Sequence, residues 1–481
     1  MREATLEALS KTSVDAVASK FLDAMDQVEG GFREREAAAM RLANELVRRS
    51  LEADLRRRAA RYGEDVTIDG QRYKRHAGGA GHYHTLCGRL SVRRDSYRLV
   101  GVHNGPTVIP LELEAGIIEN ATPALAASVI RAFANMPLRE YEAEMQAAYR
   151  SVPSRSTLER IAKRAGAAIR EELPLIEPVI RAGEVGPAGG YSISVGVDRT
   201  TMPMAEAVGR APAKTDAHVR ARPPRTVVAY RMAYVATIAI NDVHGEALST
   251  IRVSATASEG ATLMMERLGD ELEHVLAQYP DAPVVVVQDG APELWNLVRE
   301  WLADRHITPV MELIDRFHVD ERLAQTAECI ERDSKRRRKL IRRWASMLDQ
   351  DDRAISRICA TIDRRLYYRP KSDDGFWPPA PRPKIHGEIG RIAEQNYGYF
   401  RRHAAQMHYA SARAKCLPIG SGVTEGACKS VIGARFKRSG QRWFETGASP
   451  CLHLRTLCLN QRLESALAIV LYQQSGRLDV N

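Results

Sequence analysis

The chain has 481 residues, 44% hydrophobic and 27% charged. Those proportions exclude a largely disordered chain and give about three domains at roughly 150 residues each, with apolar mass enough to dispense with disulfide staples. The formal net charge is +10, which makes a polyanion the first partner to consider. The longest apolar runs, such as Val284 to Val287 and Ala466 to Tyr472, fall far short of the about 20 residues that span a bilayer. The start places Glu3 and Glu7 among its few apolar residues, unlike a signal peptide, so a cytoplasmic protein is expected. Seven cysteines, with no C-x-x-C pair, speak for reduced, buried thiols rather than a disulfide framework. His82, His84 and Cys87 come nearest to a metal cluster, but no fourth ligand lies close by.

In chain order, residues 31 to 62 are a continuous helix former, with Met40, Leu42, Leu46 and Leu51 near helical spacing. From Val66 to Val102 the period changes to two, with Asp69-Gly70 as a hairpin turn, and predicts a small antiparallel sheet. Residues 123 to 172 return to helix, with Pro123 early in one element and Pro137 opening another to about Tyr149. Ser156-Thr-Leu-Glu159 reads as a capping box at the start of the next. This is a helix-turn-helix pattern whose second helix carries Arg155, Arg160, Lys163 and Arg164 as a basic stripe for phosphates or a major groove. An ordinary helical pair with a solvated basic face gives the same pattern.

Gly183 to Gly190 is a turn-rich linker and the best domain boundary. Beyond it, Tyr191 to Asp198, Val227 to Ile240 and Ala247 to Val253 read as a three-strand meander, with a Pro- and Arg-rich loop over residues 209 to 226. A helix from Glu259 to Gln278 leads to Pro283-Val-Val-Val-Val-Gln-Asp289, an all-apolar run typical of a doubly covered parallel strand. Helix 291 to 303, strand Thr308 to Ile314 and a helix from Arg316 follow. The order βββαβαβα predicts a mixed five-stranded sheet whose first and fourth strands are neighbours, ending in Asp198 and Asp289. Residues 320 to 415 read as an inserted helical module, very basic at Lys335 to Lys339 and interrupted by a Pro-rich turn, Trp377 to Pro383. The domains so drawn are 1–65, 66–110, 111–182, 183–319, 320–415 and 416–481.

Two carboxylates at the C-terminal ends of adjacent parallel strands occupy the edge where open α/β sheets place their sites. Asp198 and Asp289 fit that position, and oxygen donors suit a hard divalent cation such as Mg²⁺. A third acid is sought among Glu312, Asp315, Asp320, Glu321 and Glu425. Glu425 has the most telling surroundings: a Gly420-Ser-Gly turn, a helix start, Lys429 at i+4, then Arg435, Lys437, Arg438, Arg442 and Trp443 with no acid between Gly426 and Phe444. An i,i+4 salt bridge followed by a solvated basic surface is the plainer explanation.

The trio Ser-Val-Gly-Val-Asp198, Val-Val-Gln-Asp289-Gly and Gly-Ser-Gly-Val-Thr-Glu425-Gly-Ala-Cys-Lys-Ser, with Lys437-Arg-Ser-Gly-Gln-Arg-Trp443 downstream, resembles the DDE transposases of bacterial insertion sequences, most of all the Kra-type family. The resemblance runs over about residues 66 to 470. It implies an RNase H-like α/β core with a helical insertion, preceded by a helical and small β-sheet region that binds DNA. It further implies Asp198, Asp289 and Glu425 as catalytic ligands of two Mg²⁺ ions, with Mn²⁺ as a substitute. Transposon-end and target double-stranded DNA would be the partners, and a homodimer or larger synaptic complex would form in the nucleoid. Asp315-Arg-Phe-His318 is similar to the Asp-x-x-His signature of Mutator-like transposases, which implies a supporting role for Asp315 and His318 beside the metal ligands. The Tyr-x2-Arg-x3-Glu-x6-Lys pattern of another insertion-sequence group is absent, since Ser421 and Ile432 fill its Arg and Lys positions.

Two other readings compete: a non-catalytic or domesticated DNA-binding protein, and a structure-specific nuclease of the same fold. Short inverted repeats flanking the reading frame would favour the transposase.

Overall fold

The computed structural model describes residues 11–208, 225–368 and 382–479. The Pro- and Arg-rich loop, and most of the Pro-rich turn, lie outside them. Contacts divide the chain into two units, Met1–Ile180 with Gln461–Asn481, and Arg181–Asn460.

The first unit opens with α1 (Lys11–Met25) and α2 (Phe32–Ala59). Along α2 acids and arginines pair one turn apart, Glu45 with Arg48 and Arg49 (both 2.7 Å) and Asp54 with Arg58 (2.8 Å), which suits a solvated helix. Strands β1 (Asp65–Ile68) and β2 (Gln71–Thr85) meet at Asp69 and Gly70, whose φ of 51° and 72° make the turn that Asp-Gly favours. β3 (Gly88–Leu99) and β4 (Thr107–Val108) extend the sheet, and the chain's last strand, Leu478–Asp479, pairs with β1. The stretch after residue 460 therefore belongs with the first unit, not with the Glu425 segment to which the sequence assigned it. In β2, Tyr83 and Thr85 are buried while His82 faces out and His84 is half-buried. The Cys87 thiol donates to Asn44 at 3.6 Å.

Helices α3 (Pro110–Glu114), α4 (Pro123–Asn135), α5 (Leu138–Ala147) and α6 (Arg155–Gly183) follow. The expected capping box at Ser156 is displaced: α6 starts at Arg155, and the Ser154 carbonyl accepts from Thr157 and Leu158 at 2.9 Å each. α6 also continues past residue 172, through Pro174 and Pro178. Its buried stripe Leu158, Ile161, Ala165, Ile169, Leu173, Ile176 and Ile180 holds helical period throughout, and that burial outweighs two missing N–H donors.

The second unit is built on a mixed five-stranded sheet in an α/β arrangement. β5 (Ser192–Ala207), β6 (Thr226–Asn241) and β7 (Ala247–Ala255) form an antiparallel meander; α7 (Gly260–Gln278) leads to β8 (Val284–Gln288), and α8 (Pro292–Asp304) to β9 (Met311–Ile314). The order is β7-β6-β5-β8-β9, with β8 parallel to both neighbours. The first and fourth strands of the unit are thus adjacent, as βββαβαβα requires. Every residue of β8 is buried, in keeping with its covered, unbroken apolar run.

Helices α9 (Arg316–Ile330), α10 (Ser334–Gln350), α11 (Ala354–Leu366), α12 (Gly387–Arg402) and α13 (Tyr409–Ala414) come next. Their Trp344, Leu348, Ile358, Phe400 and Tyr409 join the core formed by β5, β6 and β8. The helical segment is therefore packed into the sheet's core rather than tethered to it. α14 (Gly422–Cys428) runs through a π-helical turn, Lys429–Gly433, into α15 (Ala434–Phe436), and α16 (Glu445–Leu459) closes the unit. Of the seven cysteines, all free, Cys359, Cys428 and Cys451 are buried and the others half-buried.

Candidate active site

Asp198 lies in β5 and Asp289 directly follows β8, so the parallel pairing of Ile193 to Val195 with Val284 to Val286 carries both carboxylates towards one edge. Asp289 closes its own turn by accepting from the amide of Ala291 at 2.9 Å, and its carbonyl accepts from the Trp295 indole at 2.6 Å. Glu425 reaches that edge because Gly196 leaves room for it. A Cβ at Gly196 would stand 2.2 Å from Thr424 Oγ1 and 2.8 Å from the Val287 carbonyl. α14 therefore rests directly on β5, and the Thr424 and Thr237 hydroxyls bond at 2.7 Å beneath it.

Burial pushes the Asp198 carboxyl above the usual aspartate range. The Arg199 amide at 2.7 Å and the Cys428 thiol oppose the rise, and the charges of Asp289 and Glu425 add to it. Carboxylates from two distant segments thus bear on Asp198, and of the five acids considered for third place it is Glu425 that does so. Glu312 pairs with Arg299 (2.9 Å), Asp320 with Arg316 (3.1 Å) and Glu321 with the His318 ring (3.5 Å). Lys429 Nζ stands 2.6 Å from Glu425 Oε1, and no three described His, Cys, Asp or Glu side chains are already gathered as a metal cage. An all-oxygen donor set whose members repel one another nonetheless suits a hard divalent cation, which would relieve that repulsion and displace Lys429.

Asp315 does more than the sequence suggested. Its Oδ1 caps α9 by accepting from the His318 amide at 3.1 Å. Its Oδ2 accepts from the Ser421 hydroxyl at 2.6 Å and from the Ser421 amide. The Asp315 amide donates to the Gln288 carbonyl, and the Arg316 amide to the Ile419 carbonyl, at 3.0 Å each. One residue with 4% exposure thus ties the end of β8, just before Asp289, to the turn that launches Glu425. The His318 ring is partly exposed and turned to Glu321.

Sequence reasoning missed Ser421, Thr424 and Cys428 as supports, and Tyr399 and Arg322 as neighbours. Tyr399, on α12, lies against Gly290, where a Cβ would be 2.4 Å from its ring. Burial raises its hydroxyl to about 12, opposed by Arg322 and aided by Asp289. Arg322 stacks on that ring at 4.1 Å from the centroid. The glycines after Asp289 and before Val197-Asp198 were the readable signals, since each marks a close approach.

The expected DNA contacts divide. Lys437 is exposed and reaches Thr200, two residues beyond Asp198; Arg442 is exposed. Arg435 is 2% exposed, its guanidinium 4.5 Å from the Trp443 ring, and that ring also meets Phe436. Arg435 is corrected from a DNA contact to a packing element, while half-buried Trp443 bonds through its backbone to Pro203 (3.0 Å) and Ala205 (2.7 Å) and pins the strip to β5. The Arg438 guanidinium donates to the Ala434 carbonyl at 3.2 Å. On α6, Lys163 is exposed, whereas Arg160 and Arg164 lie 3.3 and 3.4 Å from Glu119, and Arg155 lies 3.8 Å from Glu142. No described helix is long and apolar enough to cross a membrane. No protein family and no curated protein matches the chain.

Proposed function

We propose that the protein is a DNA transposase of the DDE type on an RNase H-like core, cutting transposon ends and joining their 3′-hydroxyls to target DNA. The observation that supports the reading is the placement of Asp198 in β5 and of Asp289 directly after the adjacent parallel strand β8, with the helix carrying Glu425 seated on β5 at Gly196. Burial raises the Asp198 carboxyl at that place, and a perturbed acid beside two further acids fits a functional cluster. Asp198, Asp289 and Glu425 would hold the divalent metal. Bound there, Mg²⁺ supplies charge neutralisation at the phosphate and a more acidic water for in-line displacement.

The chain's own groups do the rest. The Asp315 to Ser421 link and the Gly196 slot hold Glu425 in register with the two aspartates. Lys437 offers a cation beside Asp198 for a backbone phosphate. Lys163 and its neighbours on α6 supply end binding within residues 1–182. No side chain needs to form a covalent intermediate with DNA.

The test is a cleavage assay beside a gel shift on Asp198→Ala, Asp289→Ala and Glu425→Gln. Each variant should lose Mg²⁺-dependent cleavage by at least about a thousandfold and retain end binding within about twofold. Cleavage at the wild-type rate by any one of them removes that residue from the site.

A further inference from the structure

Helix α10 carries Lys335, Arg338, Lys339, Arg342 and Arg343 at i, i+3, i+4, i+7 and i+8, so the five share one face. All five are exposed, whereas Trp344 and Leu348 on the opposite face are buried. No acid occurs between Asp333 and Asp349. Among the described residues none of the five cations has an ion-pair or side-chain hydrogen-bond partner. α2 shows how this chain builds a solvated arginine-rich helix, with an acid one turn from most of its cations. α10 omits every such acid and keeps the repulsion among its cations at this spacing. A polyanion docked on this face would relieve that repulsion and release the counterions that screen it.

We propose that this face of α10 is a second, sequence-independent docking surface for the phosphate backbone of duplex DNA, separate from the end-binding residues on α6. The proposal rests on the transposase reading for the identity of the polyanion. From Lys335 to Arg343 the stripe is about 12 Å long at 1.5 Å per residue. A duplex carries a phosphate every 1.7 Å or so of axis, so that length spans about seven phosphates, of which the near side offers three or four. Four or five unpaired cations match that number.

The experiment is fluorescence anisotropy of the full chain with a random-sequence 30-base-pair duplex over a salt series. It compares wild type with K335Q/R338Q/K339Q/R342Q, and with R338E/R342E as a second variant. These are exposed polar-to-polar changes, and a thermal melt checks that the fold is kept. Each phosphate contact contributes about 0.9 to the slope of log affinity against log salt. The quadruple variant should therefore lose about three units of slope and bind more than tenfold more weakly at 0.1 M salt. An unchanged slope in a folded variant overturns the stripe alone. Wild-type protein that ignores duplex DNA at low salt overturns the transposase reading itself. Loss of binding confined to anionic phospholipid vesicles, with duplex binding intact, also overturns the proposal.

Discussion

Replacing Asp315 by Asn tests whether a buried carboxylate positions Glu425, the proposed third metal ligand. The side chain keeps its shape, but one oxygen becomes an NH₂ donor. If that donor faces Ser421, it meets another amide N–H and a hydroxyl that now donates to Asp315. If the amide flips, it meets the His318 amide instead and α9 loses its cap. Either way a buried donor faces a donor. Losing two hydrogen bonds to a carboxylate, with an amide left unsatisfied, costs about 3–4 kcal/mol; Ser421→Ala, which removes one, should cost about 1 kcal/mol. All five tryptophans lie between residues 295 and 443, so urea titration followed by tryptophan fluorescence reports on the second unit alone. The Glu425 amide bonds to the Ser421 carbonyl at 3.0 Å, so a slackened turn displaces the proposed metal ligand. A 1 Å displacement can cost about a hundredfold in rate. Asp315→Asn should thus cut single-turnover cleavage by about that factor with end binding unchanged. A variant within about 0.5 kcal/mol of wild type that cleaves at full rate would refute the reasoning.

Gly196→Ala should destabilise the second unit by about 2–3 kcal/mol, since the new methyl must push Thr424 or the Val287 carbonyl aside; a midpoint unchanged in the same urea titration would show that α14 yields freely. Burial alone would raise Glu259, but the His453 ring at 2.8 Å, the Ser449 hydroxyl at 2.6 Å and the Thr256 amide at 2.9 Å together lower it to about 2. Because the folded value is depressed, its contribution is complete above about pH 4.5 and fades as pH falls towards 2. Glu259→Gln should flatten that acid decline by about 2 kcal/mol, and an identical pH profile would remove Glu259 from acid unfolding. Lys163→Gln should lower the salt slope of end binding by about one unit, and an unaltered slope would place the end-binding face elsewhere than α6.

Much of the sheet was legible because its signals are local. Val284 to Val287 is a short apolar run that suits a covered strand, and Asp-Gly at 69–70 favours a turn. β6 and β7 begin and end within a few residues of where alternation places them, whereas β5 runs on nine residues past Asp198, where it was expected to end. The end of α6 was not legible, because prolines 174 and 178 argue against a helix that only the buried stripe on its far side explains. The last strand's pairing with β1 spans some 400 residues, and Leu478-Asp479 carries no pattern that names its partner. Arg435 and Trp443 misled for a related reason: an acid-free basic strip looks exposed in sequence, yet two backbone bonds to β5 turn part of it inward.

The site shows the same division between what chemistry announces and what packing decides. The acid that follows β8 declares itself, and Asp198 by its neighbours although it lies within β5, but the supports that hold them are ordinary residues whose partners lie far along the chain. Thr424 is useful because Thr237 faces it, and Ser421 because Asp315 does, across separations of 187 and 106 residues. Burying the Asp198 carboxylate opposes folding, so it must be offset by such contacts, and these are short, buried and directional. Gly196 makes the point most sharply. It contributes no side-chain interaction of its own, yet the absence of one methyl lets α14 lie on β5 and sets where Glu425 begins. The glycine two residues before Asp198 and the serine four before Glu425 are therefore as much part of the proposed site as the acids they place.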